Sequence, residues 1–555
     1  MSESKSRPPR SIPPTPCAPS STSTPVTSES CTPKRDKPPR WQLLLATALG
    51  VAHAFTFAPW GNGWLQLAVL GGFGWLLANA SARGAGIRRM ALTGALFGLG
   101  WFTAGVGWLY IAMHRFGGLP APLSATGVLL FAGYLSIFPA LAAAVLGRFG
   151  NPRRPFGFML LMAGALTLAE LSRGSILSGF PWLGIGYAHI DSPLASLAPV
   201  GGVYAVTLAA SLIGGCIAMA FHRLRPWHII PGLAVIAVAD SLDGMQWTHG
   251  HGQPITVSLL QGNVPQQMKF DPVFSARARA DYLQMIESSP ADLVLLPETA
   301  WTIPWQNTDP DGLARILSFV AETGSAVALG IPRLVQNPDP APNDPWKGMQ
   351  FTNSVMLLDR TGLADDIEPL YYDKRHLVPF GEFIPPGFRW FVEMMEIPLG
   401  DLRRGPVNQA PLPVADQRIG FNICYEDIFG EELLPVLHGT DGGDQDSATI
   451  LANLTNLGWY GQSHALPQHL QIARMRALET GRPMIRSTNN GVTAVILPNG
   501  EVDRQLPMHE AGVLKATVQG HGGLTPYAQA GGNWPIWLAS AAMMLLGMTL
   551  GRRRK

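Results

Sequence analysis

Apolar runs of membrane-spanning length recur along this chain, and they constrain its fold more than any other feature. A helix needs about 20 mostly apolar residues to cross the hydrocarbon core of a bilayer. Such runs are expected near 41–59, 64–80, 90–112, 124–146, 157–177, 195–220 and 227–240, with one more at 534–550. Backbone polar groups must be satisfied within each run, so each is read as a helix. Only 14% of the 555 residues are charged and 47% are hydrophobic, against roughly 25% charged in an ordinary soluble domain. That balance fits a membrane part diluted by a soluble part. A formal net charge of +2 gives no electrostatic reason for a nucleic-acid partner.

Basic residues orient the runs. With eight spans and a cytoplasmic N-terminus, Arg83, Arg88 and Arg89 fall inside, as do Arg148, Arg153, Arg154, Arg223 and Arg225. So do Arg552, Arg553, Arg554 and Lys555 of a basic tail at 551–555. The opposite loops offer Arg115 and little else, which is the positive-inside pattern. A membrane domain at 41–240 then delivers residues 244–526 to the outer side, and the span at 534–550 returns the chain. The short run at 227–240 decides this outcome. Residues 1–40, rich in Ser, Thr and Pro and ending KRDKPPR, are expected to form a disordered cytoplasmic tail.

The block at 244–526 alternates strand-like runs (ITVSLLQGNV, DLVLLPE, SAVALGIP) with helical ones (ARARADYLQMIESSP, DGLARILSFVAETG). This alternation predicts layered α/β packing. Three strand ends carry a reactive side chain. Glu298 follows the apolar run in LVLLPETAW, where desolvation raises a carboxyl toward a useful base. Alone, it also reads as an exposed loop carboxylate. Lys374 lies among Tyr371, Tyr372, His376, Val378 and Phe380, placed to offer an ammonium to a developing oxyanion. Alone, it also fits a snorkelling surface lysine. Cys424 ends the strand IGFNI and begins an acidic segment. Such an elbow exposes a nucleophile, and a helix N-terminus there favours thiolate. The four cysteines, Cys17, Cys31, Cys216 and Cys424, show neither metal-ligand spacing nor a disulfide framework in the soluble block. A lone cysteine also reads as a small buried apolar residue.

Taken together, GFPWLGIGY at 179–187, QGNVPQQMKFD at 261–271, LPET at 296–299, KRHLVPFGEFIP at 374–385, CYED at 424–427 and the long NLTNLGWYGQSHALPQH segment from 453 carry a resemblance. The chain resembles the nitrilase superfamily and, within it, the membrane-bound apolipoprotein N-acyltransferase family, over roughly residues 41–550. The resemblance implies a nitrilase-like αββα sandwich on the periplasmic side of an eight-span domain in a bacterial inner membrane. It implies acyl transfer by ping-pong through a Cys thioester. The donor is a phospholipid, typically phosphatidylethanolamine, and the acceptor is the α-amino group of the diacylglyceryl-cysteine that begins an apolipoprotein. Carried over by position, Glu298 is the general base, Lys374 stabilises the oxyanion and Cys424 is the nucleophile. Glu382 matches a carboxylate that positions the lysine, and Asn353, Tyr425 and Glu426 match supporting positions. Phe270 departs from the pattern, which has Trp there, and Tyr460 stands where Phe often follows Trp459.

Other features are less specific. In PGFRWFVEMMEIPLG at 386–400, Phe388, Trp390, Phe391, Met394, Met395 and Leu399 form a candidate lid or an ordinary core helix. Trp459 and Tyr460 form a second candidate mobile loop, or plain packing. His249 with His251, and His464 with His469, lack a third ligand, so no metal or other cofactor is expected. Glu170 and Arg173, one turn apart in a span, read as a functional pair or a structural one. Asn489, Asn490 and Gly491 read as a turn entering a strand. The competing readings are a membrane-tethered amidase with water as acceptor, and a scaffold with an inert domain. Eight spans argue against the first, and an intact Glu298, Lys374 and Cys424 against the second.

Overall fold

A computed structural model describes residues 40–337, 348–360, 369–390, 402–439 and 446–552. The tail expected at 1–40, apart from Arg40, lies outside these residues, as do Phe391, Met394, Met395, Leu399 and Arg553 to Lys555. The N-terminal half is helical, with helices at Trp41–Ala54, Gly63–Ala82, Ile87–Gly105, Ala121–Phe149, Pro155–Ser175 and Ala198–Arg223. The C-terminal helix Trp534–Gly551 returns to pack on Pro155–Ser175. Small residues permit that contact: a Cβ on Gly164 would lie 2.7 Å from the Met544 backbone nitrogen. Leu538, Leu545 and Leu550 of the returning helix are exposed. An apolar face left uncovered on a long apolar helix belongs against lipid, and the chain is a membrane protein.

The count of eight spans is not confirmed. Among the described residues five helices are long and apolar enough to cross a membrane, or six if the pair Ile87–Gly105 and Leu109–Phe116, bent by 60°, is one span. The expected run 41–59 yields a 14-residue helix, Trp41–Ala54, because FTFAPWGN breaks it. The expected run 227–240 yields the 12-residue helix Ile230–Ser241 after a short 3-10 turn at Pro226–Ile229. Each is shorter than the roughly 20 residues of an upright crossing.

Within the helical half, Glu170 and Arg173 form a buried ion pair, with Nη2–Oε2 at 2.8 Å and Nε–Oε1 at 2.9 Å. Arg173 also donates to the carbonyls of Phe180 and, at 2.9 Å, Trp182, while Glu170 accepts the Ile185 N–H at 3.2 Å. The pair therefore holds the loop GFPW against the end of its helix.

The C-terminal half is a sandwich of two six-stranded sheets. One runs in the order 512–518, 255–261, 293–295, 326–336, 349–358, 370–373; the other runs 502–505, 494–496, 484–488, 450–455, 417–423, 412–414. Period-two alternation sorts their side chains. Val257, Leu259, Leu295 and Ala328 of the first sheet meet Ile419, Phe421, Ile423 and Ala452 of the second. The alternate residues Leu260, Val294, Val327 and Leu329 face Tyr282, Ile286, Ile316 and Phe319 of the helices Pro272–Glu287 and Pro310–Thr323. On the far side Leu451, Met484 and Ile496 meet Ala473 and Ala477 of the helix Ala465–Thr480. The layers are thus α, β, β, α, as the sequence analysis expects.

The helix Ala465–Thr480 also carries the contact between the halves. Gln468 accepts the Trp182 indole N–H at 2.9 Å, Gln471 accepts the Ala58 N–H at 3.1 Å, and Glu479 accepts the Val203 N–H. Arg476 reaches the Tyr187 hydroxyl at 3.2 Å. Arg173→Met leaves the Glu170 carboxylate buried without its cation, an arrangement that costs on the order of 3 kcal/mol. Thermal unfolding in detergent is expected to show a lowered midpoint, with Arg173→Met less stable than the double variant Glu170→Leu with Arg173→Met.

Candidate active site

Four strands deliver polar groups to one edge of the sandwich. Glu298 lies just past Leu293–Leu295, Lys374 follows Leu370–Asp373, Cys424 follows Gln417–Ile423 and Asn456 follows Ile450–Thr455. Strand 293–295 is parallel to 326–336, and two antiparallel steps bring 370–373 back to the same direction. Strands 417–423 and 450–455 are parallel to each other. Carboxyl ends of such strands are where open α/β sheets place their chemistry.

Glu298 Oε1 accepts hydrogen bonds from Asn353 Nδ2 at 2.8 Å and Lys374 Nζ at 3.2 Å. Its Oε2 accepts the Asn456 N–H at 2.9 Å. Lys374 Nζ also donates to Glu382 Oε1 at 2.9 Å, and Asn353 Nδ2 donates to the same oxygen at 2.8 Å. The second Glu382 oxygen accepts the Val378 N–H at 2.8 Å. Lys374 is 1% exposed, so this is a buried ammonium between two carboxylates and not a snorkelling side chain. Gly330 makes room for the turn at Glu298: a Cβ there would lie 2.8 Å from the Glu298 Cα.

Cys424 sits at a sharp elbow. Its φ is +52°, a left-handed conformation that costs a non-glycine residue energy and persists only when its surroundings enforce it. Glu426 is the enforcing group. Its carboxylate accepts the N–H groups of Ile423 at 2.7 Å, Arg375 at 2.7 Å and His376 at 3.0 Å, and the Tyr372 hydroxyl at 2.9 Å. One side chain thus ties the elbow to the segment that carries Lys374. Burial raises the Glu426 carboxyl, while Lys374 and the three backbone donors oppose the rise. Asp427 is pinned by His469 at 2.8 Å and Arg486 at 3.2 Å. Tyr425 donates to the Gly179 carbonyl at 3.2 Å, so the GFPW loop of the membrane half braces the elbow.

Two electrostatic expectations are corrected. Cys424 opens a 3-10 turn of 5 residues, too short for a useful helix dipole. Burial, and next the Glu298 charge, push the thiol above its ordinary value, with Lys374 opposing. Glu298 is displaced downward and not upward: burial works to raise it, but Lys374, the Asn353 amide and Lys269 outweigh burial. Lys374 is held well above its ordinary value, because Glu298 and Glu382 outweigh the burial that works to lower it.

Two residues of the site escape a reading by strand ends. Asn456 acts through its backbone N–H, which any residue supplies. Lys269, in QQMKFD, is 3% exposed and donates to the Glu298 carbonyl at 3.0 Å. Its apolar neighbour Phe270, by contrast, has an exposed ring. Trp390 is also exposed. Trp459 packs edge-on against Phe116 at 5.9 Å, and Tyr460 against Trp108 at 4.4 Å, so both aromatics lean on the membrane half. Burial, and next the Cys424 charge, push the Tyr460 phenol up.

Residues 49–216 match the family described as apolipoprotein N-acyltransferase N-terminal domain, and residues 256–527 match carbon-nitrogen hydrolase. The chain is similar to an apolipoprotein N-acyltransferase of Ralstonia nicotianae, with 45% identity over 93% of this chain and 94% of that one. It is 39% identical to one of Bordetella bronchiseptica, over 93% of this chain and 98% of that one. It is 36% identical to one of Neisseria meningitidis serogroup B, over 91% and 96%.

Lys269 offers a pH-dependent check. Burial lowers its ammonium to about 8, against the pull of Glu298 and Cys424. The cost of burying the charge is therefore full below that value. It is relieved as pH rises toward the unfolded lysine value, because the folded amine has then lost a proton that the unfolded one keeps. Wild type is expected to gain on Lys269→Met between about pH 7 and about pH 10, by at most ~3 kcal/mol. Thermal unfolding of both proteins across that range measures the gain, and an unchanging difference refutes it.

Proposed function

Because the chain belongs to the apolipoprotein N-acyltransferase family, we propose that it moves an acyl chain from a phospholipid, phosphatidylethanolamine in type, to the α-amino group of an apolipoprotein's diacylglyceryl-cysteine. Cys424 is the nucleophile, Glu298 the base and Lys374 the oxyanion cation. Glu382 and Asn353 position Lys374 and Glu298, and Glu426 and Tyr425 hold the elbow. The reading places residues 244–526 on the periplasmic side of a bacterial inner membrane, with the basic loops inside. One observation carries it: the buried Glu298–Lys374–Glu382 cluster converges on an elbow cysteine that is braced by a loop of the membrane half.

The electrostatics dictate the order of events. The thiol is held high, so little thiolate exists at rest. Its proton passes to Glu298 as sulfur attacks the ester carbonyl. The new C–S bond forms and the carbonyl electrons move to oxygen, where the Lys374 ammonium meets them. As Lys374 turns to that oxyanion it withdraws from Glu298, whose affinity for the proton rises at the moment of transfer. Collapse of the tetrahedral species breaks the C–O bond, and Glu298 returns the proton to the leaving lysophospholipid oxygen. The thioester then meets the acceptor amine. Its nitrogen forms the amide bond, its proton passes to Glu298, and Cys424 leaves and is reprotonated. Two half-reactions through one covalent species give ping-pong kinetics. The location of the site follows from the donor: exposing an acyl chain to water costs about 0.8 kcal/mol per CH₂, so the cysteine must work at the membrane surface.

Incubation of the purified protein with phospholipid, followed by mass spectrometry, is expected to show an acyl adduct on Cys424. A diacylglyceryl-cysteinyl peptide should discharge it, and water should not. Discharge by water alone would favour an amidase-like hydrolase, and an adduct that survives Cys424→Ala would overturn the reading. Lys374→Met is expected to slow loading by about a hundredfold or more while the protein still folds, as loss of an oxyanion donor does.

A further inference from the structure

Where Leu109–Phe116 widens into a π-helical turn at Ala112–Phe116, a cavity of about 650 Å³ opens beside it. Its polar lining is Tyr110, His114 and Arg115 from the membrane half, and Gln462, Asn490 and His509 from the sandwich. None of these described lining residues is a carboxylate. Arg115 is exposed, and among the described residues its recorded contact is with the Phe116 ring, 5.8 Å from the centroid. The Arg115 guanidinium, the Tyr110 hydroxyl and the Gln462 amide nitrogen are donors with no opposing carboxylate among the described lining residues, a set that suits an anion. The planar fork of Arg suits the oxygens of a phosphate.

The cavity is tied to the cysteine by two segments. The first begins at Asn456, whose N–H holds Glu298, passes Tyr460 and reaches Gly461 and Gln462 in the cavity wall. The second holds Asn456 Oδ1 through Asn489 at 3.1 Å, and its next residue is Asn490. In a phospholipid the acyl carbonyl and the phosphate are only a few bonds apart. We infer that this cavity holds the phosphodiester of the donor phospholipid, with Arg115 as its cation, an assignment that rests on the acyl-transfer reading. Arg115 is also the basic residue that stands apart from the positive-inside pattern expected from the sequence.

The test compares Cys424 acylation from phosphatidylethanolamine with acylation from a neutral acyl ester of the same chain length. Arg115→Gln is expected to raise the half-saturating phospholipid concentration about tenfold, the worth of one charged hydrogen bond, with the maximal rate retained. The neutral ester should show no such shift, and Arg115→Lys should restore most of the loss. Equal effects on both donors, or none on either, would overturn the assignment. Should wild type load from neither donor, the acyl-transfer reading fails, and binding decides the cavity separately. In Cys424→Ala protein, phosphorus resonances of glycerophosphoethanolamine should broaden, and less so with Arg115→Gln. Equal broadening in both proteins, or full displacement by inorganic phosphate at equal concentration, would rule out a lipid phosphodiester site.

Discussion

A lysine ammonium buried to 1% exposure is the constraint on which the site depends. An isolated charge in such a place would shed its proton or unfold the region. Lys374 keeps its charge because Glu298 and Glu382 stand on either side of it, and Asn353 bridges the same two carboxylates. Lys269 adds a second ammonium beside Glu298. Removing any of these charges leaves another uncompensated, so the parts that position the chemistry also contribute to the stability of the sandwich edge.

The elbow depends on a second such economy. Glu426 joins Ile423, Tyr372, Arg375 and His376 through one carboxylate, so the left-handed turn at Cys424 and the position of Lys374 are set together. The membrane half contributes through a chain of contacts. Glu170 and Arg173 fix the GFPW loop, the Gly179 carbonyl of that loop accepts the Tyr425 hydroxyl, and Tyr425 adjoins the cysteine. An ion pair buried in the helical half is thereby a support for the elbow cysteine of the sandwich.

Much of this was legible in the sequence. Alternating runs such as ITVSLLQ and RIGFNI announce strands whose two faces are both covered, and their last residues mark the edge where Glu298 and Cys424 appear. What escaped the sequence has a physical reason. Asn456 meets Glu298 through a backbone N–H, which any residue supplies, so that contact leaves no side-chain signal. Lys269 is flanked by Met268 and Phe270, both exposed, so its own burial runs against the local pattern. The direction of the Glu298 and Cys424 shifts depends on which charges lie closest, which strand ends alone do not specify. The run at 41–59 looked long enough by hydropathy, but its helix stops at Ala54, ahead of Pro59 and Gly61, and the run at 227–240 was short already in the sequence.

The helix Ala465–Thr480 has no free side. Ala473 and Ala477 press into the sheet, while Gln468, Gln471, Arg476 and Glu479 are committed to groups of the membrane half. It behaves as a rivet and not as a hinge. Tilting it would break polar bonds on one face and open a void on the other, so the two halves turn over substrates as one stationary block. Exchange of a bulky lipid for a bulky lipoprotein must then be accommodated at the rim, by loops and aromatic side chains, while the elbow cysteine keeps its place against the helical half.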